Sequence, residues 1–218
     1  PTVKGPLPEG IWNGTVGEYG GSLIVLEDGE TWGVNDFGAI HGQTIGEGNG
    51  AFSGTARDFE FASGVYDGSY SGTFTPQDEI NATADFEFGP VQISGEYDDF
   101  YDERPLPLSE IAGSYTGAGI SRLTGGWVRI DVDIDADGKV RMHPDQGCSA
   151  SGQVTPRRSG KNVFDLSITF SGASCALGNG VTVKGIALAD GEALLAMTIN
   201  RARTDGFVYR ATEVSVLM

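Results

Sequence analysis

The chain has 218 residues, 39% of them hydrophobic, which is enough to bury one large core or two smaller ones and excludes a disordered chain. Its net charge of −16 is confined to one half: residues 1–104 carry 19 Asp and Glu against 3 Lys and Arg, and residues 105–218 carry 11 of each. That acidic half excludes nucleic acid and anionic lipid as partners and attracts a basic one, unless the charge serves solubility alone.

The opening "PTVKGPLPEG" has neither an initiator Met nor the apolar core of a signal peptide. It reads as a mature or trimmed N-terminus, the targeting segment lying upstream. Beyond it, 34 glycines without a fixed period alternate with Ser, Thr, Val and aromatic residues. This composition predicts short strands and tight turns. No run of about 18 apolar residues offers a membrane-spanning helix.

Asp-Gly recurs at Asp28-Gly29, Asp67-Gly68, Asp137-Gly138, Asp190-Gly191 and Asp205-Gly206. Between alternating segments this dipeptide marks a hairpin, because both residues tolerate positive φ. The expected fold class is therefore all-β: an antiparallel meander forming two similar β-barrel or β-sandwich lobes. The one helical candidate is "LSEIAG", with Ser109 as its cap.

A boundary is predicted near Arg104, where the charge run "EYDDFYDE" gives way to "RPLPLSE". The lobes are 1–104, acidic and aromatic-rich, and 105–218, neutral. Each opens on Gly-x-aromatic-x-Gly, with Trp12 in one and Tyr115 in the other. "SGTFTP" (71–76) matches "SGQVTP" (151–156), and "DFEF" occurs at Asp58 and again at Asp85. These matches suggest a duplication, against the alternative of convergent strand-and-turn composition. Cys148 and Cys175 fit one disulfide in the second lobe, closing a loop of about 27 residues.

"DVDIDADGKV" (131–140) contains D-x-D-x-D-G from Asp133, the start of an EF-hand calcium loop. Position 12 of that loop, which needs a bidentate Glu, is Pro144, and position 9 is Arg141. A hairpin accounts for more residues, with Val128, Ile130, Val132 and Ile134 on one face and Lys139 and Arg141 opposite the aspartates. No metal is expected here, and no cofactor elsewhere. His41 and His143 are expected on the surface or in turns rather than in catalysis. "GEGNG" (46–50) lacks the strand-turn-helix setting of a phosphate cradle. The sequons at Asn13 and Asn81 are what chance allows in a Thr- and Gly-rich chain. Nucleophile elbows, zinc spacings and phosphate-binding loops are missing, so no enzyme is expected; only a carboxylate-pair hydrolase stays open.

Gly10-Ile11-Trp12 resembles the G-x-W that opens lipocalin-type barrels. "GIWNGTV", "FSGTARDF", "YSGTF" and "ISGEY" resemble strand-ending motifs of Gram-negative surface lipoprotein barrels, such as the transferrin-binding and factor-H-binding lipoproteins. The second half is similar to secreted proteobacterial lipoproteins in which the two cysteines pair. The resemblance implies an extracytoplasmic protein, in the periplasm or at the outer membrane and cell surface. Its membrane link would be an N-terminal lipid anchor only. The expected function is non-enzymatic recognition of a basic macromolecule by the first lobe. The expected patch is Glu96, Tyr97, Asp98, Asp99, Phe100, Tyr101, Asp102 and Glu103, where acids would steer and aromatics supply contact area. The alternative for that patch is an acidic linker whose aromatics serve the core. An inhibitor or immunity protein of a basic secreted hydrolase, or a lipocalin-like carrier of an apolar ligand, are the competing functions.

Overall fold

The computed structural model describes residues 5–61, 63–145 and 147–211. The chain divides into two compact units, the main break falling between Asp102 and Glu103. Each unit is a closed, eight-stranded antiparallel barrel.

The first barrel comprises β1 (Gly10–Val16), β2 (Tyr19–Val25), β3 (Glu30–Asn35), β4 (Gly38–Gly48), β5 (Ala51–Glu60), β6 (Gly64–Thr75), β7 (Glu79–Phe86) and β8 (Gly89–Asp98). Consecutive strands pair in order, and β1 closes the sheet on β8 from Ile11↔Asp98 to Val16↔Ile93. After a single helical turn, α1 (Leu108–Ile111), the second barrel runs through β9 (Gly113–Ile120), β10 (Val128–Ile134), β11 (Lys139–Asp145), β12 (Cys148–Pro156), β13 (Phe164–Ser171), β14 (Thr182–Ala189), β15 (Leu194–Asn200) and β16 (Gly206–Ala211). It closes by β16 on β9, from Val208↔Ile120 to Ala211↔Gly117. Closure removes the edges that a meander would otherwise leave open to aggregation. α1 starts after Pro107 with no side-chain cap, so Ser109 does not cap it.

The Gly-x-aromatic-x-Gly pair falls at the same place in both barrels. Trp12 on β1 donates from Nε1 to the Pro8 carbonyl at 2.9 Å, and Tyr115 on β9 donates from Oη to the Ile111 carbonyl at 2.8 Å. Each ring thus reaches back four residues and closes the end of its barrel. The second glycine sits on the closing seam. A Cβ at Gly14 would lie 2.1 Å from the Ser94 carbonyl oxygen, and one at Gly117 would lie 2.1 Å from that of Arg210. By contrast, "SGTFTP" lies in β6, sixth in its barrel, and "SGQVTP" in β12, fourth in its own. That match is a local strand motif with no shared position.

Four of the five Asp-Gly pairs stand at strand connections. Gly29, Gly138 and Gly191 have positive φ in their turns, and Asp205-Gly206 leads into β16. Asp67-Gly68 does not turn; it lies inside β6. There Asp67 holds Arg57 in a two-pronged ion pair at 2.7 Å, and Gly68 makes room for the Phe86 ring. In the 131–140 segment Asp133 pairs with Arg141 across the hairpin, and Asp135 accepts the turn amides of Asp137 and Lys139. Lys139 reaches back to Asp137 at 3.7 Å rather than across the strands. The run is a hairpin with an Asx-type turn. Pro144 lies in β11.

Cys148 and Cys175 form a disulfide, tying the start of β12 to the β13–β14 loop. With a sequence separation of 27, loop-closure entropy assigns it about 3 kcal/mol. Such bonds form and persist in oxidising compartments. No helix among the described residues is long and apolar enough to cross a membrane.

Candidate functional site

The first barrel has two unlike ends. The strands run between them so that the expected patch, 96–103, lies at the Trp12 end. Tyr97 packs edge-on against Trp12, ring centroids 5.1 Å apart. Its hydroxyl donates to Asp102 at 2.8 Å, which also accepts from Gln77 Nε2 at 2.9 Å. Asp98 accepts from Asn13 Nδ2 at 2.7 Å and from the Phe100 amide. Tyr101 is buried in a 3-10 turn and donates to Glu9 at 3.0 Å. Burial, then the Glu9 charge, pushes its phenol upward. Tyr97 and Phe100 are half-buried, as is Asp98, while Glu96, Asp99, Asp102 and Glu103 are exposed. The patch therefore keeps its exposed acids, but Tyr97 and Tyr101 cap the barrel.

The opposite end, at the β1–β2, β3–β4 and β7–β8 turns, is open. A cavity of about 120 Å³ enters it, lined by Val16, Tyr19, Asn35, Phe37, Ile40, Asp58, Glu60, Phe86, Phe88 and Val91 among others. Three of those rings face solvent: Tyr19, Phe37 and Phe88 are 49%, 50% and 52% exposed. They are braced in pairs, Tyr19 against Phe37 with centroids 4.4 Å apart, and Phe88 against Phe86 at 5.2 Å and Tyr66 at 5.1 Å. Exposed rings held by other rings are already ordered, which lowers the entropy lost on binding. Small residues keep the space open: a Cβ at Gly33 would stand 3.2 Å from the Ile40 Cβ, and one at Gly38 would stand 3.3 Å from Asp58 Oδ1.

Both copies of "DFEF" end at this mouth, in opposite phase. Asp58 and Glu60 line the cavity from β5, and Phe86 and Phe88 line it from β7 and the turn that follows. Strand residues alternate sides, so a one-residue shift exchanges the carboxylates of one copy for the rings of the other. The recurrence was visible in the sequence; the phase was not. Burial, then the charge of Glu60, pushes the Asp58 carboxyl up to about 7. Among the described residues, no lysine, arginine or histidine lines the cavity.

The other sequence candidates contribute elsewhere. His41 is neither in a turn nor well exposed: it lies in β4, edge-on to Trp32, with Glu30 at 3.3 Å. His143 is exposed on β11. Of "GEGNG", residues 46–48 end β4, and Asn49 and Gly50, both at positive φ, make the β4–β5 turn. The Asn13 side chain is held by Asp98 and Ser22. Among the described residues no three His, Cys, Asp or Glu side chains are grouped to share a metal ion. The second barrel is packed, its interior void measuring about 20 Å³ with a lining of residues such as Val132, Met142, Leu166 and Tyr209. No protein-family model matches the chain, and no curated protein matches it.

Proposed function

We propose that the chain is a non-enzymatic, exported binding protein that recognises a basic macromolecular partner through the open mouth of its first barrel. The observation that carries this reading is the mouth itself: exposed, braced aromatics around two carboxylates, with no cation among the described residues of the lining. It stands on the half of the chain that holds the whole excess of negative charge. Aromatics at a rim supply contact energy, and acids supply steering and register. The disulfide supports an extracytoplasmic address. The resemblance of its strand-ending motifs supports a place among the Gram-negative periplasmic or surface lipoproteins. An inhibitor or immunity protein of a basic hydrolase would use the same mouth, and loss of the partner's activity on binding distinguishes it.

Cavity size argues against the other readings. Sites for drug-sized ligands occupy about 300–1,000 Å³, well above the voids of about 120 and 20 Å³ in the two barrels. An apolar carrier is thus disfavoured. The Asp58 and Glu60 pair is what a carboxylate hydrolase would use, but the cavity is too small to enclose a sugar ring and its neighbours.

The test is capture from native envelope extract by the immobilised chain. A basic protein released by salt is expected, and its capture should fall at least tenfold with Phe37→Ala/Phe88→Ala. It should change little with Asp99→Asn/Glu103→Gln at the capped end. Capture that ignores the mouth substitutions contradicts the proposal.

A further inference from the structure

The mouth of the first barrel is too small for a folded ligand and too deep for a flat contact. Its volume of about 120 Å³ can be translated into atoms. An apolar cavity of about 150 Å³ takes benzene, with six heavy atoms, so this one takes about five. A lysine side chain from Cβ to Nζ has five heavy atoms; an arginine side chain from Cβ onward has seven. The lining matches the same shape, with apolar side chains such as Val16, Ile40 and Phe86 for the methylenes and two carboxylates for the head. Arginine's planar fork needs a wider, flat-walled site, whereas an ammonium is a compact point charge on a flexible stem. The rings of Phe37 and Phe88 at the rim add cation–π attraction as the ammonium enters.

We infer that this cavity seats the side chain of one lysine from the basic partner, its ammonium between Asp58 and Glu60. The inference rests on the proposed role of the mouth and supplies its residue-level specificity.

Entry of the ammonium is coupled to a proton. Asp58 faces Ile40 on β4 and Tyr66 on β6 and shares its own strand with Glu60. Asn35, Tyr19 and Phe37 lie around the same cavity. The nearby Arg57 is engaged with Asp67. Burial, then the charge of Glu60, pushes the Asp58 carboxyl up to about 7, and it must release its proton to pair with the ammonium. Affinity therefore rises with pH through that region.

An NMR titration of the full chain with n-butylammonium chloride, n-propylguanidinium chloride and 1-butanol tests this at pH 6 and pH 8. Saturable shifts at Asp58, Phe37 and Phe88 are expected with butylammonium, about tenfold tighter at pH 8 than at pH 6 for a single proton released. The guanidinium and the alcohol should bind at least tenfold more weakly at pH 8. Asp58→Asn should abolish the pH dependence, and Phe88→Ala should weaken binding at both values. Absence of saturable butylammonium binding, equal binding of butanol, or equal affinity at the two pH values overturns the lysine seat. Should the seat fail while partner capture still depends on Phe37 and Phe88, the mouth remains the recognition surface. Capture indifferent to those rings removes the functional reading as well.

Discussion

Asp58 is where the sequence conceals most and the fold decides most. As one of 30 acids it carries no signal of its own. Its inward position on β5 buries it beside Glu60 and lifts its carboxyl from 3.8 to about 7. The folded chain consequently takes up a proton that the unfolded chain lacks between those values. Any stability from that proton is present in full below about pH 4 and lost as pH rises through 7. Asp58→Asn should therefore leave stability unchanged at pH 4 and raise it at pH 8. After allowance for solvent at the mouth, the gain is about 2 kcal/mol, readable as a shift of the urea midpoint with unchanged slope. A loss of stability at pH 8 would mean that the ionised carboxylate is held by a favourable contact. The two "DFEF" copies show why the site was not legible: identical tetrapeptides put acids inward in β5 and rings inward in β7, and register is set by pairing partners far away in sequence. The patch at 96–103 was legible as charge, but nothing local chose between aromatics offered to a partner and aromatics serving the core, where Tyr97 packs on Trp12 and Tyr101 is buried.

At the scale of elements, the turns were the readable part. At three of the four Asp-Gly connections the glycine sits at positive φ, a local requirement that the chain states locally; the fourth, Asp205-Gly206, only leads into β16. The fifth failed because Gly68 answers a different need, space for Phe86 inside the barrel. The seam glycines are of this second kind. The Cβ of Gly117→Ala would meet the backbone of β16, which cannot swing aside as a side chain can. Insertion of one methyl into such a site costs about 1–3 kcal/mol, and Gly14→Ala should cost a similar amount against β8. Gly126→Ala, in the β9–β10 loop with open space around it, is the control. Thermal or urea unfolding should rank Gly117→Ala well below that control; equal stabilities would mean that the seam relaxes freely. The paired behaviour of Gly14 and Gly117, with Trp12 and Tyr115 beside them, is the strongest structural sign of equivalence between the barrels.

For the whole molecule, an all-β meander with two lobes followed from composition and turn spacing. Closure did not: β1 and β8 meet across about eighty residues of chain, and no local pattern distinguishes a closing strand from the edge of a sandwich. The charge split was legible as a number; the structure gives it an acidic barrel with one capped end and one open end. Binding at the open end should be fast at low ionic strength and slow as salt rises, since exposed charges act over about 8 Å in physiological salt. The most direct measurement is hydrogen exchange on the chain with and without the basic partner captured from its envelope. Protection should appear in the β1–β2, β3–β4 and β7–β8 turns of the first barrel, and the second barrel should be unchanged. Protection confined to residues 96–103 or to the second barrel would contradict recognition through the open mouth.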